Sequence, residues 1–154
     1  MGKYIEKDCT SKLTSFQHFF YNYGRFHGNT INILIHLIGI PILLITGYKL
    51  AELISLEYYH LPVNVGLILV SWMLIWLVKD PFSGVITCAQ YLGIVYLLNG
   101  KDLSYGQYSS IQVLGAFHIA AWIFQFIGHG IFEQRAPALM TNIFLTINAP
   151  LFAT

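Results

Sequence analysis

Charge is scarce in this sequence. Only 10% of its 154 residues are Asp, Glu, Lys or Arg, against roughly 25% in a soluble domain, and the eight basic and seven acidic residues leave a net charge of +1. Phosphate binding needs clustered Lys and Arg, and the basic residues here are scattered, so nucleic acid is excluded as a partner. Cysteine is scarcer still. Cys9 near the start and Cys88 in an apolar run are too few and too differently placed for a disulfide framework or a thiolate metal site, and both read as free thiols. The opening residues lack a short apolar core with a small-residue cleavage site, so they do not read as a secretory signal, and Glu6 and Asp8 argue against a transit peptide. No internal repeat or low-complexity linker is visible, which disfavours transporters built from broken-helix repeats.

What the sequence has in quantity is apolar surface. A hydrophobic content of 56% and a mean hydropathy of +0.61 identify an integral membrane protein, with the lipid bilayer as its surroundings. A chain of this length holds four or five spans of about 20 residues and little else. The expected fold is therefore all-α: a single polytopic membrane helical bundle of four to five transmembrane helices over residues 1–154, with an N-terminal amphipathic helix. Residues 11–27 mix aromatic and polar groups at helical spacing and read as that interfacial helix. Spans are expected at about 29–50, 63–78, 82–98 and 111–132. A last segment at 138–154 contains Pro150 and reads as half-length or re-entrant. Pro and Gly mark the breaks, at Pro62, Pro81, Gly100 and Pro137. With the N-terminus inside, Lys3, Lys7, Lys12, Arg25, Lys79 and Arg135 fall on the inner side, and only Lys49 and Lys101 outside, which sets the orientation.

Inside these apolar stretches sit histidines. His36 lies in the first span, His118 and His129 in the fourth, and His27 just ahead of the first. A polar ring at membrane depth is costly and needs a partner, which makes each a functional-site hypothesis, and imidazole is the commonest protein ligand for metals. Taken singly, each is as readily a hydrogen-bonded packing residue; it is their convergence that points to a site. On the fourth span His118, Gln125, His129 and Glu133 share one stripe. His118 and His129 are about 16 Å apart on a straight helix, so one ion served by both requires a kink, and otherwise there are two ions or another role for His118. His27 and His36, nine residues apart, would lie on opposite faces of one continuous helix about 13 Å apart, so the helix is expected to start after His27, near Asn29 or Thr30. His18 and His60 read as structural or solvated. Trp72, Trp76 and Trp122 read as core and interface belt, and Gln125 and Glu133 have a plain alternative as helix-to-helix hydrogen bonds.

Two stretches carry a resemblance. Tyr23 is followed by the pattern His-x-Asn-x-x-Asn-x-x-x-His at His27, Asn29, Asn32 and His36, and then by Gly39 and Pro41. The second stretch holds Trp122, Gln125, Gly128, His129, Phe132, Glu133, Arg135 and Pro137, followed by Asn142 and Ala149-Pro150-x-Phe152. Both resemble the small multi-span 2-hydroxy fatty acid dioxygenases of the fungal endoplasmic reticulum and their bacterial, plant and protist relatives. The resemblance implies an Fe(II)-dependent (Fe2+) enzyme of fatty acid α-oxidation. Such an enzyme takes a long-chain 2-hydroxy fatty acid and O2 and returns the acid one carbon shorter, a step in phytosphingosine and hence sphingolipid breakdown. It implies His27, His36 and His129 as iron ligands, with His118 outside the most strongly shared pattern as a further candidate. From chemistry and position, Glu133 and Gln125 are candidates for catalysis. Arg135 is a candidate carboxylate clamp, with Asn29 and Asn32 beside it on the substrate. The endoplasmic reticulum is the expected location, with the mitochondrial or bacterial inner membrane as alternatives. The family pattern is expected to run on past Phe152. A second reading is therefore an inactive member serving as a structural subunit of a larger membrane complex, and a homo-oligomer is a further option. A bis-histidine haem protein is a third reading.

Overall fold

The computed structural model describes residues 27–54 and 65–137, together with 17, 21, 24, 140 and 148–151. The expected interfacial helix at 11–27, the last segment at 138–154, and His18, His60 and Cys9 lie largely or wholly outside these residues. The protein is all-helical. Helix α1 spans Thr30–Ile54, α2 Val65–Lys79, α3 Pro81–Leu98 and α4 Ser110–Ile127, and α4 runs on into a π-helical segment, Gly128–Glu133. Among the described residues there is no β-strand, only an isolated bridge between Tyr105 and Tyr108 in the α3–α4 loop.

Local chemistry sets the helix ends. Asp80 caps α3: its carboxylate accepts the Phe82 N–H and the Ser83 hydroxyl, and Pro81, which has no N–H to lose, takes the first helical position. Ser109 and Gln112 close a reciprocal capping box at the start of α4. Asn99 and Gly100 end α3.

Among the described residues, three helical stretches are long and apolar enough to cross a membrane: Thr30–Ile54, Pro81–Leu98 and Ser110–Glu133. The 25 residues of α1 reach about 38 Å, more than the roughly 30 Å of a hydrocarbon core. The 15 residues of α2 reach about 22 Å. The outward faces are greasy. On α2, Leu67, Val70, Leu74 and Val78 follow one another at helical spacing and are all exposed, a patch that water would not tolerate on a monomer and that lipid satisfies.

Inside, Trp76 is fully buried against Met73, Cys88, Tyr91 and Leu151, its ring 5.6 Å from that of Tyr91. This apolar cluster joins α2 to α3. Between α1 and α4, which run antiparallel and face to face, the contacts are polar: His36 against His129, Gly39 against Gln125, and Thr46 against His118. The polar stripe of α4 is thus turned onto α1 and away from lipid.

Candidate metal centre

At one end of this ladder three histidines meet. The ring centroids of His27 and His36 are 4.5 Å apart, those of His36 and His129 4.8 Å, and those of His27 and His129 5.0 Å, each pair close to edge-on. All three are buried, and their ligand nitrogens lie within 4.8 Å of one another. Among the described residues this is the group of side chains that could hold a metal ion.

Each ring is held by its own device. The Nδ1 of His36 is 2.8 Å from the carbonyl of Asn32 one turn earlier on α1. A carbonyl can only accept, so Nδ1 carries the proton and Nε2 keeps its lone pair, the arrangement that orients metal-bound histidines. His129 sits in the π-helical segment between Gly128 and Gly130. Its Nδ1 is buried with no hydrogen-bond partner among the described residues. His27 lies ahead of α1 in the turn that precedes Thr30, and so it escapes the register that would carry it away from His36. An unpartnered buried nitrogen is the kind of atom whose satisfaction calls for an unseen group. With a second nitrogen left as an acceptor and a third ring edge-on to both, the set fits a divalent ion bound by imidazole at about 2.1 Å, reached by small ring movements.

Glu133 ties the two halves together. One carboxylate oxygen accepts the Gly28 N–H at 2.7 Å, and the other accepts the Asn29 N–H at 3.0 Å and the Asn32 side-chain amide at 3.2 Å. A carboxylate from beyond α4 therefore caps the N-terminus of α1, where the helix dipole favours negative charge. Asn29 adds a local cap, accepting from Ile31 and Asn32. Arg135 is exposed at the rim, and its backbone N–H bonds the His129 carbonyl. Gln125, one turn before His129, donates to the Ile35 carbonyl at 3.2 Å. Two glycines permit these contacts: a Cβ on Gly39 would collide with the Gln125 amide, and one on Gly128 with Asn32 Oδ1.

His118 stands apart from the cluster, about 16 Å along α4 from His129. Both of its ring nitrogens are engaged. Trp122 Nε1 donates to Nε2 at 3.2 Å, which leaves Nδ1 to donate to Thr46 Oγ1 at 2.8 Å, and the Thr46 hydroxyl in turn donates to the Ile42 carbonyl at 2.7 Å. The sequence reading did not single out Thr46, and it named Gly39 and Gly128 as part of the shared pattern without giving them a role. Their signal was present: a Thr in an apolar span needs a partner, and glycines beside polar residues on facing helices mark close approach.

A family model described as 2-hydroxy-palmitic acid dioxygenase Mpo1-like matches residues 13–154. The chain is also 35% identical, over 127 residues, to the 2-hydroxy-palmitic acid dioxygenase MPO1 of Saccharomyces cerevisiae; the match covers 79% of this chain and 66% of that protein's length. No solved structure matches. With the motif residues gathered at one buried centre and the family model running over most of its length, the chain belongs to the 2-hydroxy-palmitic acid dioxygenase Mpo1-like family.

Proposed function

We propose that this protein is a membrane-embedded Fe(II) dioxygenase that shortens long-chain 2-hydroxy fatty acids by one carbon, acting in the endoplasmic reticulum on acids released by sphingolipid breakdown. The observation that carries this reading is the buried trio of His27, His36 and His129, drawn from two ends of the chain to one point. With the excised carbon leaving as CO2, the balance RCH(OH)COOH + O2 → RCOOH + CO2 + H2O closes on O2 alone, so no further reductant is needed.

His27, His36 and His129 would hold the iron. Bound there, it would supply the redox chemistry that lets O2 react with a 2-hydroxycarboxylate. The remaining roles belong to the chain itself. Asn32 fixes the tautomer of His36 through its carbonyl. Glu133 has its oxygens committed to three donors, which supports a positioning role, holding the His27 turn, over that of a base. Asn29 and Asn32 act in the same frame. Arg135, at the exposed rim beside the centre, is suited to a bidentate hold on the substrate carboxylate. The apolar helices exclude water and offer the acyl tail a medium in which each methylene gains about 0.8 kcal/mol.

The test is elemental analysis of protein purified anaerobically in mild detergent, together with turnover of 2-hydroxypalmitate. The expected result is about one iron per chain, lost in His36→Ala and His129→Ala, with a fifteen-carbon acid as product. A folded wild-type chain that binds no metal would overturn the reading and leave a structural subunit in its place.

A further inference from the structure

Alongside the Thr46–His118 end of the polar ladder between α1 and α4 lies an apolar cavity of about 360 Å³, within the usual range of roughly 300–1,000 Å³ for small-molecule sites. Its walls include Ile40, Leu43 and Gly47 of α1, Leu69 and Trp72 of α2, and Trp122 of α4, and no Asp, Glu, Lys or Arg lines it. His118 borders it too, but both of its ring nitrogens are spent on Thr46 and Trp122, so the wall there asks nothing of an occupant.

The cavity is placed in line with the histidines. Ile40 is one turn past His36 on α1, about 6 Å, and Trp122 is two turns before His129 on α4. The far end is lined by Ala51, fifteen residues and about 22 Å from His36 along the helix. An extended alkyl chain with carbon–carbon bonds near 1.5 Å advances about 1.25 Å per carbon. The span from His36 to Ala51 therefore takes about 18 carbons, and the span to Gly47, about 16 Å, takes about 13.

We propose that this cavity receives the alkyl tail of the 2-hydroxy acid, and that its far end at Gly47 and Ala51 sets the chain length the protein accepts. The inference rests on the histidine centre as the place where the acid's head reacts. A single unbranched tail suits the walls because they carry no charged side chain and are overwhelmingly apolar, with Tyr48, Tyr91 and Trp72 offering rings as well as their few polar atoms. The match of length to distance selects the tail of a sixteen- to eighteen-carbon acid over shorter ligands.

Gly47 gives the means of testing it. A Cβ there would stand 3.5 Å from the His118 ring, an ordinary contact, so the backbone accepts a side chain that projects into the space. In Gly47→Leu the ratio of kcat/KM for the sixteen-carbon over the twelve-carbon 2-hydroxy acid is expected to fall roughly tenfold or more, since the shorter tail ends before the block and the longer one loses the burial of several methylenes. In wild type, 2-hydroxypalmitate carrying a photoreactive diazirine near its methyl end is expected to label Tyr48, Ala51, Leu69 or Trp72 when irradiated in nanodiscs. Excess unlabelled 2-hydroxypalmitate is expected to suppress this labelling, and phosphatidylcholine is not. Wild-type turnover with an unchanged ratio in folded Gly47→Leu would overturn the cavity while leaving the centre standing. So would labelling confined to other helix faces, or labelling suppressed equally by phosphatidylcholine. Saturable labelling at these positions without turnover of any acid would instead overturn the reading of the centre and, with it, the reaction the tail was meant to serve.

Discussion

Replacing Glu133 tests whether the centre depends on a tether that is not itself a ligand. Its carboxylate accepts from the Gly28 and Asn29 backbone and from the Asn32 side chain at 2.7, 3.0 and 3.2 Å. Hydrogen bonds to a charged acceptor contribute about 1.5–3 kcal/mol each, but these are exposed or part-buried, so water screens the charge and each is closer to the ordinary net value of about 0.5–1.5 kcal/mol; the three together come to about 2–4 kcal/mol. Glu133→Ala removes all of them. The loss falls on the turn that carries His27, because Asn29 still caps α1 locally. The expected effect is local opening: amide exchange at Gly28 and Asn29 rises by about 30-fold or more, the equivalent of about 2 kcal/mol. Iron affinity, measured against a chelator, falls by about 10–100-fold, as for other groups that hold a metal ligand in place. Glu133→Gln keeps one acceptor oxygen and is expected to lie between. Wild-type exchange at Gly28 and Asn29 in Glu133→Ala would refute the tether. Unchanged exchange with lost activity would return Glu133 to direct chemistry.

His118→Ala is expected to keep the iron content of wild type while lowering thermal stability in detergent by about 1–3 kcal/mol, since Trp122 and Thr46 lose their partner; loss of iron with the fold intact would make His118 a ligand. Gly39→Leu forces the Gln125 amide out of its place against α1, and a drop in melting temperature equivalent to about 1–3 kcal/mol is expected from overpacking. In the α3–α4 loop, the Ser104 N–H and the Ser104 and Ser110 hydroxyls hold the Asp102 carboxyl below its ordinary value. A depressed carboxyl adds its contribution above the unfolded value and loses it as pH falls through the folded one. Amide exchange at Tyr105 and Tyr108, corrected for intrinsic rates, is therefore expected to show constant protection from pH 5 to 8 and to lose it only in stronger acid, and Asp102→Asn to abolish that acid step.

Composition alone carried the helical class, because a chain with so little charge and so much apolar surface has few other ways to satisfy its backbone. The gathering of histidines was also legible in part. The nine-residue interval between His27 and His36 forbids one continuous helix from presenting both, and the helix does begin at Thr30. The role of His118 was harder to read: periodicity put it on the same stripe as His129 and the helical rise set it about 16 Å away, but its partner Thr46 lies on another helix, where spacing along α4 cannot reach. The π-helical turn at Gly128–Glu133 was invisible to a 3.6-residue period, since widening a turn by one hydrogen-bond register leaves no mark in hydrophobic spacing. Glu133 was noticed as polar but not as a cap, because its partners lie more than 100 residues away.

That separation bears on how the protein is made. A chain threaded into a membrane from its N-terminus presents His27 and His36 with α1 long before His129 and Glu133 emerge behind α4. Until then the turn ahead of α1 lacks its distant cap, and His27 and His36 lack their third partner. The histidine trio is therefore complete only at the end of synthesis and insertion, and a chain stalled before α4 presents two of its three buried imidazoles.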